Sequence, residues 1–127
     1  MIRAKFRINL PQVAKNLDHV VVLVQQKVAL QLLEGIVNMN PVLTGRSRGN
    51  WYVTIGAPSG EYDEQGFPTS AEATVQRGRG VVETITTLGT VYITNNTPYI
   101  TELEKGTSTQ APQGMVQVTL DRVGAQF

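Results

Sequence analysis

Apolar and basic side chains alternate over residues 2–8 of the chain. Arg3, Lys5 and Arg7 fall on one face of an extended segment, and the residues between them, together with Ile2 and Ile8, are apolar. Because successive side chains of a strand point to opposite faces, this pattern predicts a half-buried β-strand with a basic outer face.

The longest hydrophobic pattern has helical spacing. From Val13 to Met39, apolar residues recur every three or four positions, Asn9 offers a cap before Pro11, and no Gly or Pro interrupts the run until Gly35. This periodicity predicts one helix over residues 11–39, ended by the proline that follows Asn40. It would span on the order of 40 Å, and a second apolar stripe broadens its hydrophobic face, so part of it is expected to meet another subunit.

Shorter elements complete the prediction. Alternation predicts strands over 51–55 and 89–95, a weaker pattern predicts a helix from about 70 to 86, and a terminal helix is expected after Pro112. Residues 56–70 are rich in Gly and Pro and are expected to form a long loop that makes contacts. We predict an α+β fold in which a long N-terminal helix packs on a small antiparallel β-sheet with one or two shorter helices, as a single domain over residues 1–127.

Composition excludes several classes of site. The chain has no cysteine, one histidine and a formal net charge of +1, so thiolate chemistry is excluded and no strong basic excess indicates a nucleic-acid binder. No unbroken apolar run of about 20 residues is present, and we expect a soluble protein made in the cytoplasm, without a membrane partner.

Candidate catalytic groups do not converge. Glu102 and Glu104 are two positions apart and do not meet on a strand or on a helix, so they are a poor acid and base pair. Asp63 and Glu64 lack calcium-loop spacing and are expected to be a solvated acidic loop. His19 has no second ligand or nucleophile nearby in sequence. The sequence therefore predicts no enzyme activity, no cofactor and no metal site.

Three segments combine unusual residue types at fixed spacing. They are PVLTGRSRGNW at 41–51, YITNNTPY at 92–99, and PYITELEKGTSTQAPQGMV at 98–116. Together they resemble the tail-completion, or head-to-tail neck, proteins of tailed bacteriophages, a family that includes minor tail protein Z-like sequences. Leu43 departs from the acidic residue usual before Thr-Gly in that family, and Ile100 stands where a small residue is common.

The resemblance implies a structural virion protein at the head-tail interface. It implies a homo-oligomeric ring of six copies at the neck or tail top, in contact with head-completion or adaptor proteins and with tail-tube or tail-terminator proteins, while genomic DNA passes through the lumen. The matched positions are candidates for subunit interfaces or for maintaining the motifs: Thr44, Gly45, Arg46, Arg48, Trp51, Asn95, Pro98, Tyr99, Glu104, Gly106, Gln110 and Pro112.

Alternatives remain open at this stage. The basic face of Arg3, Lys5 and Arg7 could line a DNA channel once a ring multiplies it, or it could be an ordinary solvated strand face. A head-closure or adaptor protein of the same connector fits the same residues. A small nucleic-acid-binding module is a further candidate, and a small enzyme would need a convergent polar pocket.

Overall fold

The computed structural model describes residues 2–7, 18–42, 46–65 and 70–126, without the side chains of residues 6, 7 and 18. Its elements confirm the predicted α+β fold, with a long N-terminal helix, a small antiparallel sheet and shorter helices. In chain order they are β1 (Ile2–Arg7), α1 (Asp18–Met39), a 3₁₀ turn (Arg48–Asn50), β2 (Tyr52–Ile55), α2 (Ala71–Val82), β3 (Thr90–Asn95), α3 (Ile100–Glu104) and α4 (Val116–Gly124).

The sheet has three strands in the order β1-β3-β2, and both pairings are antiparallel. Ala4, Ile93 and Val53 lie opposite one another across the three strands, and all three side chains are buried. The next positions along each strand point away from this apolar side. The sheet therefore has one face in the core and one outer face, as alternation along the strands predicts.

The helices pack on the core face of the sheet. Helix α1 buries one side along Ala29, Leu33 and Ile36, and α2 lies beside it. Gly78 of α2 sits where a Cβ atom would overlap with the Leu33 side chain and would also meet Val53 of the sheet. This glycine brings α1, α2 and β2 into close contact, so its lack of a side chain is required by packing.

The two glycines of α2 give a matched test of this packing. We expect Gly78→Ala to lower the free energy of unfolding by roughly 1–3 kcal/mol, because the added methyl group overpacks the core. Gly80→Ala, at a position with no atom within 4 Å of an added Cβ, is expected to raise stability by up to about 1 kcal/mol through helix propensity. Urea unfolding followed by circular dichroism compares the two, and equal effects would contradict the packing role of Gly78.

Several boundaries differ from the sequence-based prediction. The predicted helix start at residues 11–17 lies outside the described residues. Helix α2 ends at Val82 and not near residue 86, because the Thr84 hydroxyl and amide both bond the carbonyl of Val81 and form a turn. Ile55 was expected on the buried face but is 48% exposed, since it ends an edge strand. The five-residue helix α3 was not predicted.

Helix α1 also meets a coarse test for a membrane span. Over His19–Met39 it is long and apolar enough to cross a bilayer by length and composition alone. The core helix of a water-soluble protein passes the same test, and here Ala29, Leu32 and Leu33 are buried against the rest of the fold. The outer side of the first turns is less covered, because Val20 is 42% and Leu23 59% exposed.

Candidate functional site

A buried hydrogen-bond network joins the first two motif segments. The Trp51 indole Nε1 donates to Asn40 Oδ1 at 2.8 Å, and Asn40 Nδ2 donates to Ser47 Oγ at 2.7 Å. Asn95 Nδ2, at the end of β3, donates to the backbone oxygen of Ser47 at 2.7 Å. All four residues are buried, so each polar group needs the partner it has. The end of α1, the turn before β2 and the end of β3 are thereby held together.

Two arginines reinforce the same region. Arg48 Nε donates to the Val37 carbonyl at 3.2 Å and its guanidinium also reaches the Asn38 carbonyl, at the C-terminal end of α1. The Val37 carbonyl also accepts a bond from the Asn40 amide at 3.2 Å, and a cation at the C-terminal end of a helix is favoured by the helix dipole. Arg77 of α2 donates to the Gly49 and Trp51 carbonyls at 2.8 and 2.9 Å. Both guanidinium groups bond backbone within the chain, whereas the sequence suggested Arg48 as a subunit contact.

The remaining residues of the first motif are placed as follows. Arg46 is partly buried, and its carbonyl accepts a bond from Asn50 Nδ2 at 2.7 Å. Thr44 and Gly45 lie outside the described residues. Trp51 has no exposed surface and packs in the core, so of its two candidate roles it maintains the motif and offers no surface to a neighbouring subunit.

The long loop after β2 is tied to this region by two asparagines. Asn50 exchanges two hydrogen bonds with the backbone of Asp63, each 2.7 Å long. Asn96 Nδ2 donates to the Ser59 and Glu61 carbonyls at 2.9 and 3.1 Å. Residues 59–63 are therefore anchored to the 3₁₀ turn and to the end of β3.

The third motif segment builds the connection from α3 to α4. The Glu104 carboxylate accepts hydrogen bonds from the backbone amides of Met115, Val116 and Gln117, at 2.9, 2.8 and 3.1 Å. These amides begin α4 and have no partner inside that helix. A negative charge at a helix N-terminus is also favoured by the helix dipole. Glu104 is thus the cap of α4 within its own chain.

Glycine and glutamine complete this connection. Gly106 and Gly114 adopt φ angles of +88° and +80°, which favour glycine, and an added Cβ would overlap the backbone oxygen of Pro112 and of Glu104, respectively. Gln110 bonds both backbone groups of Val42, accepting at 2.9 Å and donating at 3.2 Å. The third motif is thereby fastened to the start of the first.

The cap gives a second testable prediction. We expect Glu104→Ala to lower the free energy of unfolding by roughly 1–3 kcal/mol, because three amides lose their acceptor in a partly buried place. The control is Glu102→Ala, which removes only a surface ion pair with Lys105 and is expected to cost less than about 1 kcal/mol. Denaturant unfolding of both variants decides the matter, and a Glu104→Ala variant as stable as its control would exclude the capping role.

The other motif candidates lie at the surface near this connection. Pro98 is exposed, and the Tyr99 ring is 39% exposed just before α3. The side chain of Pro112 is also exposed, although its backbone lies against Gly106. Pro98, Tyr99 and Pro112 remain candidates for contact with another chain.

The outer face of the sheet carries the predicted basic residues. Arg3 lies opposite Thr94, and Lys5 lies opposite Tyr92, whose ring centroid is 5.6 Å from Lys5 Nζ. The Arg77 guanidinium carbon lies 4.1 Å from the ring centroid of Tyr52, at the other edge of the sheet. Arg7 pairs with Thr90 through its position in β1, and its side chain lies outside the described part. Cations and aromatic rings alternate on this face.

The described side chains do not cluster as metal ligands would. In the part of the chain that the structure covers, no group of three or more His, Asp or Glu side chains could hold a metal ion. Comparisons with protein-family models, with curated proteins and with solved structures found no match.

Sequence reasoning missed the residues that bind these segments together. The sequence indicated Asn40 only as the residue before a helix-ending proline and Asn96 only as part of a motif, and Arg77 was not among the candidate residues. Their partners are backbone groups or side chains up to 37 residues away. In the sequence, only the frequent asparagines at 38–50 and 95–96 indicated that side chains there would bond backbone groups.

Proposed function

We propose that this protein is a structural subunit of a tailed-bacteriophage virion that forms a ring at the head-tail interface. The observation that carries the proposal is the convergence of the three motif segments. Asn95 bonds Ser47, 48 residues away in sequence, and Gln110 bonds Val42, 68 residues away. The residues that carry the resemblance thus join distant parts of the fold, which suits a structural protein.

A ring requires exposed surface for subunit contacts. The exposed apolar residues Val20 and Leu23 on α1 and the ring of Tyr99 are suited to such contacts. Heterologous contacts between identical subunits close into a ring when the rotation between neighbours permits. Arg3 and Lys5 on the outer sheet face, with Arg7 in the same strand, would be repeated around the ring and would favour passage of DNA along it.

The test is genetic. Blocking this gene in its native genome with an amber mutation, and counting particles by electron microscopy, is expected to leave filled heads beside separate tails. Complementation with the wild-type gene should restore joined particles. Normally joined, infectious particles without the protein would overturn the proposal. Immunogold labelling of wild-type particles would distinguish the tail-completion position from a head-closure or adaptor position in the same connector.

A nucleic-acid-binding module is the second candidate, because Lys5 and Arg77 lie against tyrosine rings at the two edges of the sheet. Such a module would bind duplex DNA as an isolated protein with an affinity that falls steeply as salt rises. The ring proposal expects weak binding by the single subunit. Fluorescence anisotropy at several salt concentrations, with Arg3→Ala/Lys5→Ala as the matched variant, separates the two.

A further inference from the structure

A polar cleft lies between the second half of α1 and α4. It has a volume of about 360 Å³, and its walls include Gln31, Glu34 and Asn38 from α1 and Arg122 and Gln126 from α4 and the residues after it. Gly35 forms its floor, because a Cβ atom there would overlap with the Arg122 guanidinium and with Thr119. The Arg122 side chain therefore packs against the α1 backbone at Gly35.

The polar groups of the cleft define what it can bind. Within the described residues, Arg122 has neither an ion-pair partner nor a hydrogen-bond partner, whereas Glu34 is paired with Arg79 at 3.1 Å. A guanidinium without a carboxylate partner suits a short peptide segment that supplies a carboxylate.

An acidic segment of this same chain has that chemistry. Glu61, Asp63 and Glu64 lie within four residues, all exposed, and the carboxylates of Glu61 and Glu64 contact no cation in the part that the structure describes. The Tyr62 ring between them is 38% exposed. Asn50 and Asn96 hold the backbone of this segment, so it is presented in a defined conformation, and little order has to be gained on binding.

The segment and the cleft are built by different elements. The segment is bonded to Asn50 of the 3₁₀ turn and to Asn96 after β3, whereas the cleft lies between α1 and α4. Among the described residues, no hydrogen bond or ion pair joins the two within one copy. A contact between two copies would satisfy both, and because the two surfaces differ, each copy can bind one neighbour on each side.

We propose that residues 61–64 of one copy dock in the cleft of the next copy, with a carboxylate on Arg122. This inference rests on the proposed function, since it names the seam through which a ring would close. Arg122 is exposed in the single copy, and docking of the neighbouring copy would cover the salt bridge, which makes it stronger than an exposed surface pair.

Crosslinking tests the seam directly, because the chain has no cysteine of its own. We would introduce Gln65→Cys and Gln126→Cys together, which keeps the carboxylates of Glu61 and Glu64, and treat the protein with a short bismaleimide, both concentrated in solution and in purified particles. A head-to-tail seam should give a ladder of dimers, trimers and larger species. Each single-cysteine variant should give dimers at most. Absence of a ladder from the double variant in both preparations would overturn the proposal.

Charge reversal tests the chemistry of the contact. Arg122→Glu, or Glu61→Lys with Glu64→Lys, is expected to reduce the ladder yield or weaken self-association about tenfold, and combining the three changes should restore much of it. Lys105→Glu and Glu83→Lys, at exposed positions that line neither surface, are the controls for net charge. Equal losses in the controls, or no recovery in the combined variant, would count against the pairing.

Failure of the seam is distinguishable from failure of the proposed function. Particle counts after blocking the gene report on head-tail joining whatever the subunit contact is. A joining defect with no crosslinked ladder would reject this seam alone. A ladder from a protein whose loss leaves particles joined would retain the contact and reject the neck role.

Discussion

Replacing Trp51 with alanine is expected to lower the free energy of unfolding by about 3–5 kcal/mol. The indole is fully buried, and its removal leaves a cavity lined by the core residues around the end of α1. It also leaves Asn40 Oδ1 without the donor that it has at 2.8 Å. Because small domains have stabilities of about 5–15 kcal/mol, this single change is expected to remove much of the total. Urea unfolding followed by circular dichroism measures the loss.

Trp51→Phe is the control that separates volume from hydrogen bonding. Phenylalanine fills most of the space but cannot donate to Asn40, so we expect a smaller loss of about 1–3 kcal/mol. Asn40→Asp in the wild-type background keeps an acceptor for the indole but loses the Nδ2 bonds to Ser47 Oγ and to the Pro41 carbonyl. It also places a carboxylate in a buried site, so it is expected to be destabilising as well. If Trp51→Ala were as stable as Trp51→Phe, the cavity left by the indole would not be the cause of the lost stability.

The second large effect is expected at Gly114. Its φ angle of +80° strains any residue with a Cβ atom, and that atom would overlap the Glu104 carbonyl oxygen and crowd its carboxyl carbon. Gly114→Ala is therefore expected to cost roughly 2–5 kcal/mol, through backbone strain and through displacement of the group that caps α4. The matching measurement is denaturant unfolding, with hydrogen exchange of the Met115, Val116 and Gln117 amides to show local loss of the cap.

Gly56 provides the matched control for backbone strain. It has a φ angle of +86°, and no atom lies within 4 Å of an added Cβ. Gly56→Ala should therefore cost only the conformational penalty of about 1–2 kcal/mol. The difference between the two variants isolates the close approach of α3 and α4. If Gly56→Ala and Gly114→Ala lowered the free energy of unfolding equally, the close contact at Gly114 would not contribute to stability.

The internal use of the motif residues bears on how a ring would form. Glu104 and Gln110 were expected to be able to bond across a subunit seam, yet in this structure they cap α4 and hold Val42. Side chains already engaged in this way have little capacity left for a neighbour. Subunit contacts in the proposed ring would therefore use other surface, such as the apolar start of α1, Tyr99, and the cleft that carries Arg122.

Much of the architecture was predictable from local patterns. Alternation at residues 2–7 and 90–95 and helical spacing up to Met39 indicated the strands and the long helix, because burial of one face imposes a period of two or 3.6. The short helix α3 was missed because five residues carry too little periodic signal. Ile55 was expected in the core because it lies two residues after Val53, on the same face of the strand. Alternation along a strand does not show where the helices that cover that face end.

What the sequence alone determined is the strands, the long helix and the core face of most of these elements. These follow from side-chain size, polarity and spacing along one segment. Tertiary structure decided the partners. Trp51 meets Asn40, Asn95 meets Ser47, and Gln110 meets Val42, because folding brings together backbone and side-chain groups that must be satisfied once water is excluded. The same packing leaves Arg122 in a cleft between α1 and α4 and holds the acidic segment on Asn50 and Asn96, a relation that no spacing in the sequence encodes.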